Sequence, residues 1–207
     1  MPYVSPTLLD SFSYYMRIDN EKKSIQARRE LIDRLKGVRT LPNEAMLRGI
    51  AFEDNVCAYC DGTYKPVKAD YDACVREAAG YVAGARRQVY IDFPLIDDIS
   101  VNGYIDFLSP GVITDTKTTG EYEFGKYLRN TQHLAYLTWG EPKGYRCFQY
   151  VVMDFKRMNV VREEYFWNPV MRDNLCTKAL TFTDYLECDA EMKQAFLEHK
   201  PYRREEN

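Results

Sequence analysis

The chain has 207 residues, 28 Lys and Arg against 31 Asp and Glu, a formal net charge of -3, and 45% hydrophobic against 29% charged residues. This ordinary globular balance suits one domain that buries its core without disulfides or structural metals, and excludes a disordered chain, a fibre and a protein that coats nucleic acid by bulk charge. No apolar stretch approaches the roughly 20 residues of a membrane helix, and the opening MPYVSPTLLDSF lacks a basic start followed by an apolar run, so the expected setting is cytoplasmic, with no membrane contact.

Ser5-Pro6 followed by Leu8, Leu9, Phe12, Tyr15 and Met16 predicts an amphipathic helix with Ser5 as N-cap and Pro6 at its first position. A charged helix is expected over 21–36, ending before Gly37. A third opens at Pro42-Asn43 and runs through Leu47, Ile50 and Val56 to Cys60, where Asp61-Gly62 stops it. Residues 68–85 are Ala-rich and helical in pattern. The period then changes to alternation: strands are expected over 88–95, 99–108 and 112–117, with Ser109-Pro110-Gly111 as a turn. Helical spacing returns over 124–139, strands over 144–153 and 158–166, and Asn168-Pro169 starts a long helix reaching about residue 198. The polar tail KPYRREEN is expected to fray. The order predicts an α/β or α+β fold, a mixed β-sheet flanked by helices. It divides into a mainly helical part (1–86), the sheet and its helix (87–166) and a C-terminal helix (167–200).

The cysteines are Cys57, Cys60, Cys74, Cys147, Cys176 and Cys188, and the histidines are His133 and His199. Cys57 and Cys60 form a lone C-x2-C without the second pair or paired histidines of a zinc site, so free thiols are expected.

The chemistry-bearing stretch is Gly103-Tyr104-Ile105-Asp106 followed by Asp115-Thr116-Lys117. Asp106 is read as ending one strand. Asp115 and Lys117, two apart on the next, share a face, and the short turn brings all three together. Two carboxylates beside a lysine suit metal-assisted phosphodiester hydrolysis. Hard oxygen ligands, including the Thr116 backbone carbonyl, would hold Mg2+ or Mn2+, and the lysine would orient water or help remove its proton. Glu53 supplies a further carboxylate from an upstream helix, and Gln132 and Tyr136, four apart, point the same way. Alone, D-x8-D-x-K is a weak signal, since such triples also occur on solvated sheet faces. The ordered set G-x3-E, G-x-I-D, D-x-K-T, Q-x3-Y is far more specific.

That ordered set resembles the PD-(D/E)xK nuclease superfamily, in the branch of RecB-type nuclease domains and lambda-type exonucleases. Ser5 to Phe12 is similar to the opening helix of RecB-like members, and Gly49 to Glu53 matches the motif that carries Glu in the lambda-type group. The resemblance implies a restriction-endonuclease-like fold. It implies Asp106, Asp115 and Glu53 as metal ligands, Lys117 as the residue positioning the nucleophilic water, and Gln132 and Tyr136 as groups steadying the site and the DNA backbone. Some RecB-like relatives bind a [4Fe–4S] cluster through a first-helix cysteine and three C-terminal ones; Tyr14-Tyr15-Met16 and the pair Cys176, Cys188 depart from that pattern, so no cluster is expected.

Residues 17–48 hold nine Lys/Arg against five Asp/Glu, and Arg17, Lys22, Lys23, Arg28 and Arg29 could line a DNA path as readily as form a solvated helix face. Arg48 could reach a phosphate. Tyr122 and Tyr127 could stack on unpaired bases, although such tyrosines more often pack. The expected function is a metal-dependent DNA exonuclease of recombination, repair or phage and mobile-element DNA processing. It would work as a homo-oligomer or with a single-strand annealing or binding protein. The rival expectations are a structure-specific or single-strand endonuclease and an inactive nuclease fold that only binds DNA or protein.

Overall fold

A computed structural model describes residues 3–38 and 40–198. The polar tail, His199 and the end of the anticipated 167–200 helix lie outside the described residues.

Four helices precede the main strands: α1 (Pro6–Tyr15), α2 (Glu21–Leu35), α3 (Glu44–Cys60) and α4 (Ala69–Val82). Three begin where a side-chain oxygen can take an orphan N–H of the first turn. Ser5 accepts from Leu8, Asn20 from Lys23 and Asn43 from Met46. α3 ends as expected at Asp61, with Gly62 in the left-handed region at φ 70°.

The sheet has strands β1 (Tyr3–Val4), β2 (Arg86–Ile96), β3 (Ile99–Ser109), β4 (Val112–Thr119), β5 (Cys147–Asp154) and β6 (Asn159–Phe166), in the order β1-β3-β4-β5-β6, with β2 also paired to β3. β4 and β5 are parallel, joined by a crossover through α5 (Gln132–Gly140); β2–β3, β3–β4 and β5–β6 are antiparallel. The sheet is thus mixed, as predicted. Only β1 is absent from the sequence reading, because two residues carry no periodic signal.

Helices cover both faces. Leu8, Leu9 and Phe12 of α1, Leu31 and Leu35 of α2, Leu134 and Leu137 of α5, and Leu175 and Phe182 of α6 (Pro169–Cys188) pack against Ile105, Ile113, Phe148 and Tyr150 on one side. Phe52 and Val56 of α3 and Val75 and Ala79 of α4 pack against Phe107, Val151 and Met153 on the other. Alternation along β5 delivers Tyr150 and Val152 to the first face and Val151 to the second, as a doubly covered strand requires.

Three expectations are corrected. Residues 124–131 are not helical: Gly125 has φ 74° and the chain makes successive turns until Thr131, so only 132–140 forms the helix. The long C-terminal helix is two, α6 and α7 (Ala190–Leu197). They break at Asp189, whose extended backbone frees its carboxylate to cap α7 at Met192 and to pair with Arg28 at 2.8 Å. Asp106 does not end a strand; β3 continues to Ser109.

One departure from regularity positions everything that follows. β2 runs along one edge of β3. The other edge pairs with β1 at Ser100 and Val101 and with β4 only at Phe107, Leu108 and Ser109. Between these two pairings, over residues 102–106, β3 and β4 splay apart.

Candidate active site

The splay admits side chains from both faces. Asp115 and Lys117 stand opposite Tyr150 and Val152 of parallel β5, so they share the α5 face. Thr116 stands opposite Val151 and points to the α3 face, where its hydroxyl donates to Glu53 at 3.3 Å. Glu53 is held there because Phe52 and Val56 bury fully beneath α3. At Gly49 a Cβ would lie 3.3 Å from the Thr118 hydroxyl, so the missing side chain lets α3 approach β4 closely.

Asp106 sits where β3 reverses its alternation. Ile105 belongs to the α5-side core and Phe107, two residues on, to the α3-side core. Across the β2 ladder the irregularity is matched at Gln88, a non-glycine residue at φ 49°. Its amide donates to Glu53 at 2.9 Å and, more weakly, to Asp106 at 3.4 Å, bridging two carboxylates that repel. Sequence reasoning missed Gln88, and a glutamine within an alternating strand carries no signal that could have found it.

Lys117 Nζ lies 2.6 Å from Asp115 Oδ2 and 5.7 Å from the centroid of the Tyr150 ring. Gln132, at the start of α5, donates to Asp115 Oδ1 at 2.5 Å. The helix start is fixed from α1: Asp10 accepts from the Thr131 backbone N–H at 2.8 Å and its hydroxyl at 2.6 Å. Tyr136 is buried and donates to the Tyr104 carbonyl at 2.8 Å, lying along the edge of β3 where it parts from β4. Gly103 makes room, since a Cβ there would lie 3.1 Å from the Tyr136 hydroxyl.

The electrostatics follow from three carboxylates and one ammonium in a dry setting. Burial, then the charges of Asp115 and Glu53, raise the Asp106 pKa well above the usual carboxylate value. Burial and Asp115 also raise Glu53, against hydrogen bonds from Thr116 and Gln88. Burial opposes the charge on Lys117, but Asp115, Asp106 and Glu53 outweigh it and hold its pKa above the ordinary value. Acidic excess of this kind suits a divalent cation, and the donors are hard oxygens. Among the described residues no three Asp, Glu, Cys or His side chains already close around one point. The oxygens that could hold such an ion are those of Asp106, Asp115 and the Thr116 carbonyl, with Glu53 direct or through water.

The nucleic-acid contacts anticipated beyond this set are scattered. Arg48 is exposed on α3, 3.9 Å from Glu44 and over the Phe155 ring. Tyr122 is half-buried with its hydroxyl on Glu163 at 2.6 Å, and Tyr127 is buried with its ring 4.9 Å from Tyr150. Both pin the loop before α5, and the fully open aromatic ring on that loop is Phe124, at 97% exposure. Arg17 and Lys22 are exposed, whereas Arg28 is tied to Asp189 and Glu191. Cys57 and Cys60 are half-buried free thiols on α3.

Neither a protein-family model nor a curated protein sequence matches the chain. Solved structures do. An inferred exonuclease of Eubacterium rectale aligns over 99% of this chain and 85% of its own, with a TM-score of 0.51 and 13% identity. The alkaline exonuclease LHK-Exo of Laribacter hongkongensis aligns over 93% of this chain and 90% of its own, with a TM-score of 0.50 and 17% identity. The chain shares the fold of these two structures. Among the described residues no helix is long and apolar enough to cross a membrane.

Proposed function

We propose that the chain is a divalent-metal-dependent DNA exonuclease. The observation that carries this is the assembly of Asp106, Asp115, Lys117, Glu53 and Gln132 in the fork between β3 and β4, from four elements and both faces of the sheet. The same fold in two structures named as exonucleases supports DNA as substrate and attack at an end.

A Mg2+ or Mn2+ held by Asp106, Asp115, the Thr116 carbonyl and Glu53 would supply charge stabilisation to the phosphodiester and acidify a nearby water. Asp115 and its neighbours keep Lys117 protonated, so its N–H groups act as donors. They orient the attacking water and meet the negative charge that develops on phosphorus-bound oxygens. Gln132 fixes the rotamer of Asp115, and Asp10 steadies Gln132 by holding Thr131, the residue before it. The Tyr150 ring beneath Lys117 shields the ammonium from water on one side. Work in recombination, repair or mobile-element DNA processing, with a single-strand annealing or binding protein or as a homo-oligomer, belongs to the same reading.

The test compares linear with covalently closed circular DNA, single- and double-stranded, in Mn2+, Mg2+ or EDTA, beside Lys117→Ala. Loss of linear DNA alone, only with metal and only by the wild-type protein, is the expected result. Cutting of circles would make it an endonuclease. No cutting by folded protein would leave a fold that binds without catalysis.

A further inference from the structure

A cavity of about 570 Å3 opens where the end of α1, the loop before α5 and the start of α6 meet. Its volume lies within the roughly 300–1,000 Å3 of small-ligand sites. The lining contains three cations, Arg17, Arg129 and Lys178, and no carboxylate. Arg17 donates to the Ser13 carbonyl of its own helix, and neither arginine forms an ion pair among the described residues. Lys178 is anchored instead: it donates to the Arg129 carbonyl at 3.2 Å and the Thr131 hydroxyl at 3.0 Å, 4.0 Å from Asp10.

The remaining lining is apolar and aromatic. Leu128 and His133 both line the cavity, and the His133 ring stacks on Tyr165 with centroids 4.0 Å apart and planes 17° apart. His133 is 3% exposed and its Nδ1 has no hydrogen-bond partner. At the rim Asn168 precedes the 20-residue helix α6 without capping it by its side chain; Pro169 has no N–H and the Met171 N–H donates to the Asn168 carbonyl at 3.0 Å, so the helix start contributes chiefly the positive end of its dipole.

Cations and a helix start suit an anion, and a stacked ring pair beside a leucine suits a flat apolar body. An inorganic anion leaves the ring floor unused, and an apolar peptide leaves the charges unmet. We infer that the cavity is a subsite for one nucleotide unit, with phosphate toward Arg17, Arg129 and the α6 N-terminus and the base against the His133–Tyr165 floor. The inference rests on the nuclease reading in one respect: His133 directly follows Gln132, so the unit is either part of the strand being cut or a released nucleotide.

Calorimetric titration of the wild-type protein in EDTA tests this with thymidine 5′-monophosphate, thymidine, inorganic phosphate and a short oligothymidylate. Arg129→Ala removes one cation, and Asn174→Trp fills the cavity from an exposed position on α6. The expected result is binding of the monophosphate at least tenfold tighter than of thymidine or phosphate, weakened at least tenfold by either variant and kept by Asp115→Asn. Binding of the monophosphate marks a free-nucleotide site; binding of the oligonucleotide alone, with the same variant dependence, marks a strand site. Affinities unchanged in both variants, loss in Asp115→Asn alone, or no binding of either probe would overturn the inference. Cutting of linear DNA by the same preparation in Mn2+ separates the two readings. Cutting with no pocket-dependent binding rejects only the subsite, and pocket-dependent binding with no cutting rejects only the nuclease.

Discussion

His133 makes the protein sensitive to mild acid in a way that can be isolated. Burial, and then the charge of Lys178, lower its pKa from 6.5 to about 4. At pH 7 the ring is neutral in folded and unfolded chains alike. Below pH 6.5 the unfolded chain takes up a proton that the folded chain resists, so stability present above 6.5 is lost as pH falls toward 4. Linkage between those two values amounts to about 2 kcal/mol at pH 5 and about 3 kcal/mol at pH 4. The perturbation is His133→Phe, which keeps a flat ring against Tyr165 and cannot titrate. Carboxylates protonate in both proteins, so the difference between their stabilities isolates residue 133. Thermal or urea unfolding at pH 7, 5 and 4 measures it. At roughly 2–4 °C per kcal/mol for a chain of this size, acidification to pH 5 should cost the wild type about 4–8 °C more than the variant. Parallel curves from pH 7 to 4, or a wild type that loses less than the variant, would refute the reasoning.

Asp106→Asn should abolish metal-dependent cutting, by at least about 100-fold. It should also raise the melting temperature in EDTA at pH 8: the raised Asp106 pKa means that stability present at acid pH is lost as pH rises through it, and asparagine has no such loss. Mn2+ at about 100 times its dissociation constant should stabilise the wild type by about 2.7 kcal/mol, and the variant by much less, in a melting assay. Gly103→Ala should cost about 1–3 kcal/mol in urea unfolding, because the added Cβ displaces the Tyr136 ring from the edge of β3. Asp10→Ala should cost about 1–3 kcal/mol by leaving the Thr131 N–H and hydroxyl short of a partner, with cutting reduced through Gln132.

What could be read from the sequence was local. Ser5, Asn43 and Gly62 mark helix ends through groups within a few residues, so those boundaries agree with the structure. The acid–acid–lysine set was legible because its spacing is fixed by one hairpin and one strand. What escaped depends on distant packing. The strained Gln88 takes its place only because Glu53 and Asp106 meet across two elements. The helical spacing over 124–131 was overridden by Gly125 and by Tyr122 and Tyr127 anchoring to Glu163 and Tyr150. The second break, at Asp189, follows from a bond to Arg28, 161 residues away.

By the register of the β3–β4 hairpin, Asp106 and Asp115 occupy the first rung that is not made, directly beyond Phe107 and Thr114. Like charges facing across an antiparallel pair disfavour pairing. The two acids therefore act as a wedge that keeps the hairpin from zipping, and the Thr116 backbone N–H hydrogen-bonds the Asp106 carboxylate instead of a strand carbonyl of β3. The same pair that carries the proposed chemistry borders the opening between the strands. Asp106 and Asp115 would be the residues to hold a divalent cation, whose charge would relieve the repulsion that keeps the strands apart. An insertion that lengthened the three-rung ladder past this point would close the site without altering one of its side chains.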